Sequence, residues 1–358
     1  MNNLIHLGAG PSFIPEEVKK SIVNEIEDFS NTGLSALEIS HRSKEFGNVI
    51  LESQEGLREL LGIPSDFFII FLQGGATFQN ASIPMNFSQD DDKLGYVISG
   101  AWSNKTYLDG TKLRQTEVLF DGEPKNYTSV PLNTNLDQES SCRLIFLTSN
   151  ETINGVQIKD YNNIGNDLVI DMSSDIASRK VSWDNITCAY AGAQKNLGTS
   201  GVTVVIGKKD KLVNNKLTSY LDFNNHIEKS SLYNTPPIIS IIVLDQMTKW
   251  ITKNGGVQYF HKESIKKANI LYEVLDAHKD KIVLPVEEEA RSFSNVVFNF
   301  KNQDILKRFL IDAKESNYYG LTGHRSIGGV RVSIYNSIDL ATVNKVADFI
   351  NNFLKNLS

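Results

Sequence analysis

Lys195 lies in the stretch YAGAQKNLGTSG (190–201), where small residues and glycines surround it and Gln194 is its polar neighbour. A lysine held in a confined loop of small residues can have its ammonium stripped of water. That favours the neutral amine, which attacks aldehydes and forms Schiff bases. Asp171 closes another apolar run, DLVID, upstream of it. A carboxylate so placed can pair with a protonated pyridine nitrogen. Two further stretches offer groups of a different kind. The glycine-rich QGGAT (73–77) can turn backbone N–H groups toward a phosphate at the start of a helix, and Trp102, after YVISGA, has a flat face for a ring.

Thr152, in SNET (149–152), adds a hydroxyl for a phenolic oxygen, and Gln194 can reach the phosphate. An aldehyde-binding lysine, a carboxylate for the ring nitrogen, a stacking aromatic and a phosphate cradle are together what pyridoxal 5'-phosphate requires of a protein. Each residue has an ordinary reading by itself: a solvated lysine, a core tryptophan, a glycine turn, an N-capping aspartate. Their common placement carries the argument, because each falls where an apolar run gives way to a loop. In an open α/β sheet, ligands bind beyond the carboxyl ends of the strands.

The elements that must position these residues are legible in the hydrophobic period. The runs FFIIFL (67–72), GYVIS (95–99), EVLF (117–120), RLIFLTS (143–149), DLVIDM (167–172), TCAYAG (187–192) and GVTVVIG (201–207) read as strands buried on both faces. Such runs mark a parallel sheet covered by helices. Helical spacing appears over 15–29, where Pro15, Glu16 and Glu17 open the segment and Val18, Ile22 and Ile26 repeat along one side. It appears again over 43–62, ending at Gly62, and from about Pro236 to a stop at Gly255 and Gly256. Beyond that point the chain reads helix (257–279), strand (295–300), helix (303–316), strand (328–335) and helix (338–356). The expected fold class is α/β, with a large domain over 15–256 and a smaller α+β domain formed by 1–14 and 257–358.

A chain of 358 residues suits two domains sharing an interface. With 41% hydrophobic and 22% charged residues it has the composition of a folded, soluble protein. A net charge of −6 argues against a nucleic-acid partner, so any anion must be held by local positive charge. Cys142 and Cys188 both fall in apolar runs predicted as strands, which reads as buried reduced thiols in a cytoplasmic protein. The stretch MNNLIHLGAGPSFIPEE has no basic region followed by a long apolar one, and no run elsewhere approaches membrane-spanning length. Neither export nor a membrane partner is expected.

The blocks AGPSFIPEEV, GLSALEISHRSKEF, FLQGGATFQ, GAWSNK, SNETINGV, DMSSDIASR, YAGAQKNLGTSG, YNTPP and TGHRSIGGVRVSIYN cover the chain in one order. In them the sequence resembles the phosphoserine aminotransferases, class-V enzymes of pyridoxal-phosphate fold type I. The resemblance implies a large domain with a mainly parallel seven-stranded sheet and a smaller α+β C-terminal domain. It makes Lys195 the Schiff-base lysine and Asp171 the partner of the ring nitrogen, with Trp102 stacked on the ring and Thr152 in contact with it. Ala76, Thr77 and Gln194 would bind the phosphate, joined by Asn234 and Thr235 from the other subunit of a homodimer. His41, Arg42, His324 and Arg325 would hold the substrate's phosphate or distal carboxylate, and Arg331 its α-carboxylate. Guanidinium forks bind such groups in planar pairs, which makes a local anion site on an acidic protein. No metal is implied.

The implied reaction is a ping-pong transamination in cytoplasmic serine synthesis. L-Glutamate gives up its amino group and leaves as 2-oxoglutarate, the freed Lys195 moves the Cα proton, and 3-phosphohydroxypyruvate takes the amino group to become O-phospho-L-serine. Other acceptors are the alternative, including 4-phosphooxy-2-oxobutanoate of vitamin B6 synthesis, which would use the same anion site. A cysteine desulfurase would need a reactive thiol on a mobile loop, and a non-catalytic phosphate binder would have no use for both Lys195 and Asp171. The sequence departs from the family at Thr77, where some members carry arginine; this places more weight on Arg42, Arg325 and the histidines. It departs also at GTSG (198–201) in place of GPAG, and at HLGAGPS (6–12), which replaces an asparagine-bearing start.

Overall fold

The computed structural model of the protein describes residues 4–131, 136 and 141–357. Seven strands form the large sheet: β1 (Phe67–Leu72), β2 (Lys93–Ile98), β3 (Gln115–Asp121), β4 (Leu144–Thr148), β5 (Leu168–Asp171), β6 (Ile186–Gly192) and β7 (Thr203–Lys208). Their order is β1-β7-β6-β5-β4-β2-β3. The strands pair in parallel except β7, which runs antiparallel to both β1 and β6. Every apolar run expected to be a strand is one.

Except in the edge strand β3, which is only partly buried against expectation because it has a neighbour on one side alone, the continuous hydrophobicity of these runs follows from burial on both faces. In β1, Phe67, Ile69 and Phe71 enter one apolar core while Phe68, Ile70 and Leu72 enter the other, and β4 and β5 divide in the same way. The first core is covered by α1 (Glu16–Glu27), α2 (Lys44–Leu61) and α6 (Ile238–Lys253), the second by α3 (Gly75–Phe87), α4 (Ala101–Gly110) and the short α5 (Phe223–Glu228). α2 shows how the sequence sets such a helix. The Ser43 side chain accepts from Phe46 N–H, Phe46, Ile50, Leu57 and Leu61 make the buried stripe, and Gly62 ends it in the left-handed region at φ 62°.

Register brings the chemistry to one edge. Thr148 stands beside Asp171, Asp171 beside Tyr190, and Leu72 and Gly192 both pair with Thr203. The residues that leave β1, β4, β5 and β6 at their carboxyl ends therefore emerge together.

A second, antiparallel sheet is formed by β8 (Ile282–Val283), β9 (Asn295–Phe300) and β10 (Val330–Ser333). It is covered by α7 (Gly256–Asp276), α8 (Gln303–Glu315) and α9 (Leu340–Lys355). Its core takes Leu7 from the start of the chain, and Ile5–His6 pairs with Tyr318–Tyr319. α7 contributes to both parts: Val257 and Phe260 belong to the core of the large sheet, Ala268, Leu271 and Leu275 to that of the small one. A buried amide and hydroxyl network also joins the sheets. Asn150 donates to Asn295 Oδ1, and Asn295 donates to Ser333 and to the Tyr335 hydroxyl, which in turn donates to the Ala9 carbonyl.

One expectation is corrected. Cys188 is buried in β6, but Cys142 precedes β4 and is only partly buried, its Sγ 3.8 Å from Glu117 Oε2. The reason is its neighbour: Glu117 belongs to the edge strand β3, which is partly exposed along its length.

Candidate active site

At the shared edge of the sheet lies a cavity of about 170 Å³. Gly75, Ala76 and Thr77 reach it after β1, Trp102 and Lys105 after β2, Asp171 at the end of β5 and Ser173 just beyond it, and Gln194 and Lys195 after β6. The Lys195 ammonium has no hydrogen-bond or ion-pair partner among the described residues and stands 5.7 Å from the centroid of the Trp102 ring. Burial pushes its pKa below the ordinary lysine value, against the opposing pull of Asp171 and Glu151. Asp171 is raised for the same reason, burial outweighing the Lys195 charge and the bonds from Ser173. Its Oδ1 accepts from the Ser173 N–H (2.8 Å) and hydroxyl (2.6 Å), while Oδ2 has no protein partner among the described residues. A buried amine without a partner and a half-engaged carboxylate thus share one cavity.

The lysine is held from behind. Ser12 donates through its N–H to the Gln194 carbonyl at 2.9 Å and through its hydroxyl to the Lys195 carbonyl. Gly10, at φ 146°, lets this segment lie close: a Cβ there would sit 3.3 Å from Lys195 Cγ. On the other side Asn196 accepts from Asn336 N–H at 3.1 Å and donates to Ile176. The loop carrying Asn336 is itself fixed by the buried Lys267, whose ammonium donates to the carbonyls of Ile334, Tyr335 and Ile338 at 2.8–2.9 Å.

The first turn of α3 faces the cavity through Gly75, Ala76 and Thr77, and no side chain caps it. Its N–H groups and helix dipole favour an anion there. Lys105 adds a cation: its Nζ donates to Thr77 Oγ1 at 3.0 Å and lies 5.9 Å from the Trp102 ring centroid. Trp102 donates through Nε1 to Thr152 Oγ1 at 3.0 Å. The Thr152 carbonyl accepts from Arg331 Nη1 at 3.1 Å, and Arg331 Nε is buried without a partner. A guanidinium with an unused buried donor beside the cavity is suited to a carboxylate.

Lys195, Asp171, Ala76, Thr77, Trp102 and Gln194 therefore line one cavity, with Thr152 and Arg331 tied to its tryptophan wall. The remaining predicted residues do not line it. His41 and Arg42 lie in the turn before α2, with Arg42 exposed. His324 and Arg325 lie in the loop before β10, where Arg325 is exposed and His324 Nδ1 is 2.7 Å from the Ser326 hydroxyl. Burial and the charges of Arg331 and Arg325 lower the His324 pKa. Asn234 donates to Gln73 Oε1 at 3.1 Å, and Thr235 is exposed beside it. Two residues escaped sequence reasoning. Lys105 follows Trp102 at the i, i+3 spacing that puts both on one face of a helix, a signal visible only once 101–110 is read as helical. Glu151 stands next to Thr152 in a run where nothing marks a carboxylate as buried.

A family model of the class-V aminotransferases matches residues 5–346. A phosphoserine aminotransferase from Halalkalibacterium halodurans is 40% identical over 356 residues, covering 99% of both chains. The chain belongs to the phosphoserine aminotransferases. A solved phosphoserine aminotransferase used to follow radiation damage of its Schiff base superposes with a TM-score of 0.95 at 38% identity, covering 99% of this chain and 100% of that one. The phosphoserine aminotransferase of Trichomonas vaginalis, solved with PLP bound, gives 0.91 at 30% identity over 96% and 98%. The enzyme is accordingly a transaminase of the class-V family, and its mixed α/β fold is that of its relatives. Among the described residues no helix is long and apolar enough to cross a membrane.

Proposed function

We propose that the enzyme transfers the amino group of L-glutamate to 3-phosphohydroxypyruvate, giving 2-oxoglutarate and O-phospho-L-serine, with pyridoxal 5'-phosphate as cofactor. The observation that carries this reading is the unpartnered Lys195 amine sharing a cavity with Asp171 beside the uncapped start of α3. These groups fit the cofactor. Lys195 would bind its aldehyde, Asp171 Oδ2 its ring nitrogen, and the α3 N–H groups with Thr77 and Gln194 its phosphate, while Trp102 faces the ring and Thr152 stands at its edge. When bound, the cofactor supplies an aldehyde for the amino group and a cationic ring that draws electrons from the substrate Cα.

The chain's own residues do the rest. Lys195 would be the base that takes the Cα proton and delivers it to the cofactor's aldehyde carbon; burial lowers its pKa, which favours the neutral, basic amine. Asp171 keeps the ring nitrogen protonated. Arg331 turns its free Nε to the substrate α-carboxylate. His41, Arg42, His324 and Arg325 receive the phosphate or distal carboxylate, and Asn234 and Thr235 of a second copy complete the phosphate site in a homodimer. The position of Thr235, exposed on its own chain, suits that role. We assign 15–256 to the cofactor-binding domain and 1–14 with 257–358 to the smaller one, and two cysteines that are not joined in a disulfide suit a cytoplasmic location.

The test is spectroscopic. L-Glutamate added to the holoenzyme should bleach its visible absorbance, and 3-phosphohydroxypyruvate should restore it faster than 4-phosphooxy-2-oxobutanoate or a non-phosphorylated oxoacid. Faster restoration by either rival acceptor would overturn the substrate assignment, and no bleaching would overturn the transamination.

A further inference from the structure

Glu151 is fully buried and has no cation within ion-pair distance among the described residues. A buried carboxylate without a counter-charge is costly and persists only where hydrogen bonds satisfy it. Here they all come from one place. Oε2 accepts from the Trp102 N–H at 2.9 Å, and Oε1 accepts from the Ser103 N–H and hydroxyl, both at 2.7 Å. These are first-turn groups of α4, so Glu151 caps from outside a helix whose own N-cap residue, Gly100, has no side chain to do it.

The approach is close enough to dictate a second residue. A Cβ on Gly100 would lie 2.4 Å from Glu151 Cγ and Cδ, so the carboxylate and the helix start fit together only with glycine at 100. The next residue in the chain, Thr152, accepts from Trp102 Nε1 at 3.0 Å. Trp102 is thus gripped by consecutive residues of one segment, at its backbone nitrogen by Glu151 and at its indole nitrogen by Thr152. Two fixed points leave the ring little freedom to turn about its side-chain bonds.

We propose that Glu151 is a positioning residue for the transamination: by capping α4 it holds the Trp102 indole in place as the wall of the cofactor cavity. The inference rests on the reading of that cavity as the pyridoxal-phosphate site. A neutral cap would satisfy one N–H. The carboxylate satisfies the Trp102 and Ser103 N–H groups and a hydroxyl, the Ala101 N–H donating instead to Asn154 Oδ1, and glutamine in its place would turn an NH₂ against one of the donors.

The experiment is a double-mutant cycle on the full chain stripped of cofactor, reading the dissociation constant of pyridoxal 5'-phosphate and the visible circular dichroism of the bound form. Glu151→Gln should weaken binding by about tenfold, the loss of one charge-assisted hydrogen bond, and reduce the dichroic band. Because it acts through the indole, Glu151→Gln should cost less than about twofold more in a Trp102→Ala background. Gly100→Ala, which presses on the carboxylate from the other side, should weaken binding in the same direction and serves if Glu151→Gln does not fold. Losses that multiply across the cycle, or a Glu151→Gln chain with wild-type affinity and dichroism, overturn the proposal alone. A wild-type chain that takes up no pyridoxal 5'-phosphate overturns the cavity reading and the proposal with it.

Discussion

Around the cavity, Lys195, Asp171, Trp102 and Gln194 leave the ends of strands and are each tied down by other elements, whereas Arg42, Arg325 and Thr235 stand exposed on loops. On the proposed reading, the difference follows what each region would hold. A cofactor that stays can be met by a site built in advance, with bonds from Ser12, Ser173, Glu151 and Asn336 already in place. Substrates that enter and leave twice per cycle call for groups on the surface, such as Arg42 and Arg325, while Thr235 is proposed to reach the cofactor phosphate only from a second copy. Arg331 stands between the two regimes, bonded to Thr152 on one side and unsatisfied at Nε on the other.

The comparison breaks first at Lys195. Lys195→Ala should lower single-turnover transamination by about 10²–10⁴-fold or more and remove the visible absorbance of the bound cofactor; a yellow, active variant would end the assignment. Asp171→Asn tests the other fixed group. The Asp171 charge raises the Lys195 pKa against burial, so its removal lowers that pKa further. Uptake of pyridoxal phosphate needs the neutral amine and rises with pH through the lysine pKa. Its midpoint should therefore move to lower pH in the variant, while turnover falls by roughly 10²-fold. An unmoved midpoint would show that the two groups are not coupled.

The smallest effects belong to the two arginines proposed to hold substrate, Arg331 in β10 and Arg325 in the loop before it, and sharpen the contrast. Arg331→Lys, which loses the planar fork, should raise the KM for glutamate by roughly 10–100-fold with cofactor affinity unchanged. Arg325→Ala should raise the KM for the phosphorylated acceptor by about 3–10-fold, and less at high salt because the group is exposed. Steady-state kinetics at two ionic strengths separates them. Equal, salt-independent losses would mean that both arginines belong to the fixed region.

The sequence carried the sheet well and the site in part, for one physical reason. A strand buried on both faces writes its identity into its own residues, so FFIIFL and RLIFLTS needed no partner to be read. Lys195 and Asp171 were legible because Asp171 ends such a run and Lys195 closely follows another. Burial of a polar group is a property of what packs over it, and that information lies far away in the chain. Glu151 meets Trp102 and Ser103 across the fold, and Lys267 meets the carbonyls of 334–338, with no trace in local pattern. Cys142 looked buried for the converse reason, since nothing local says that β3 is an edge. The residues proposed to bind anions rest on resemblance alone, because histidine-arginine pairs in loops have no period to read.

The reversed direction of β7 bears on how Lys195 does its work. A parallel successor to β6 would have required a long crossover to the far side of the sheet, and the lysine would have hung from one end of it. Because β7 turns straight back, with Thr203 paired to Gly192, the segment between them is pegged at both ends to adjoining strands only a few residues from the amine. In its proposed role the lysine would exchange one bond for another while its backbone stays put, with only a side chain's length to travel in each cycle.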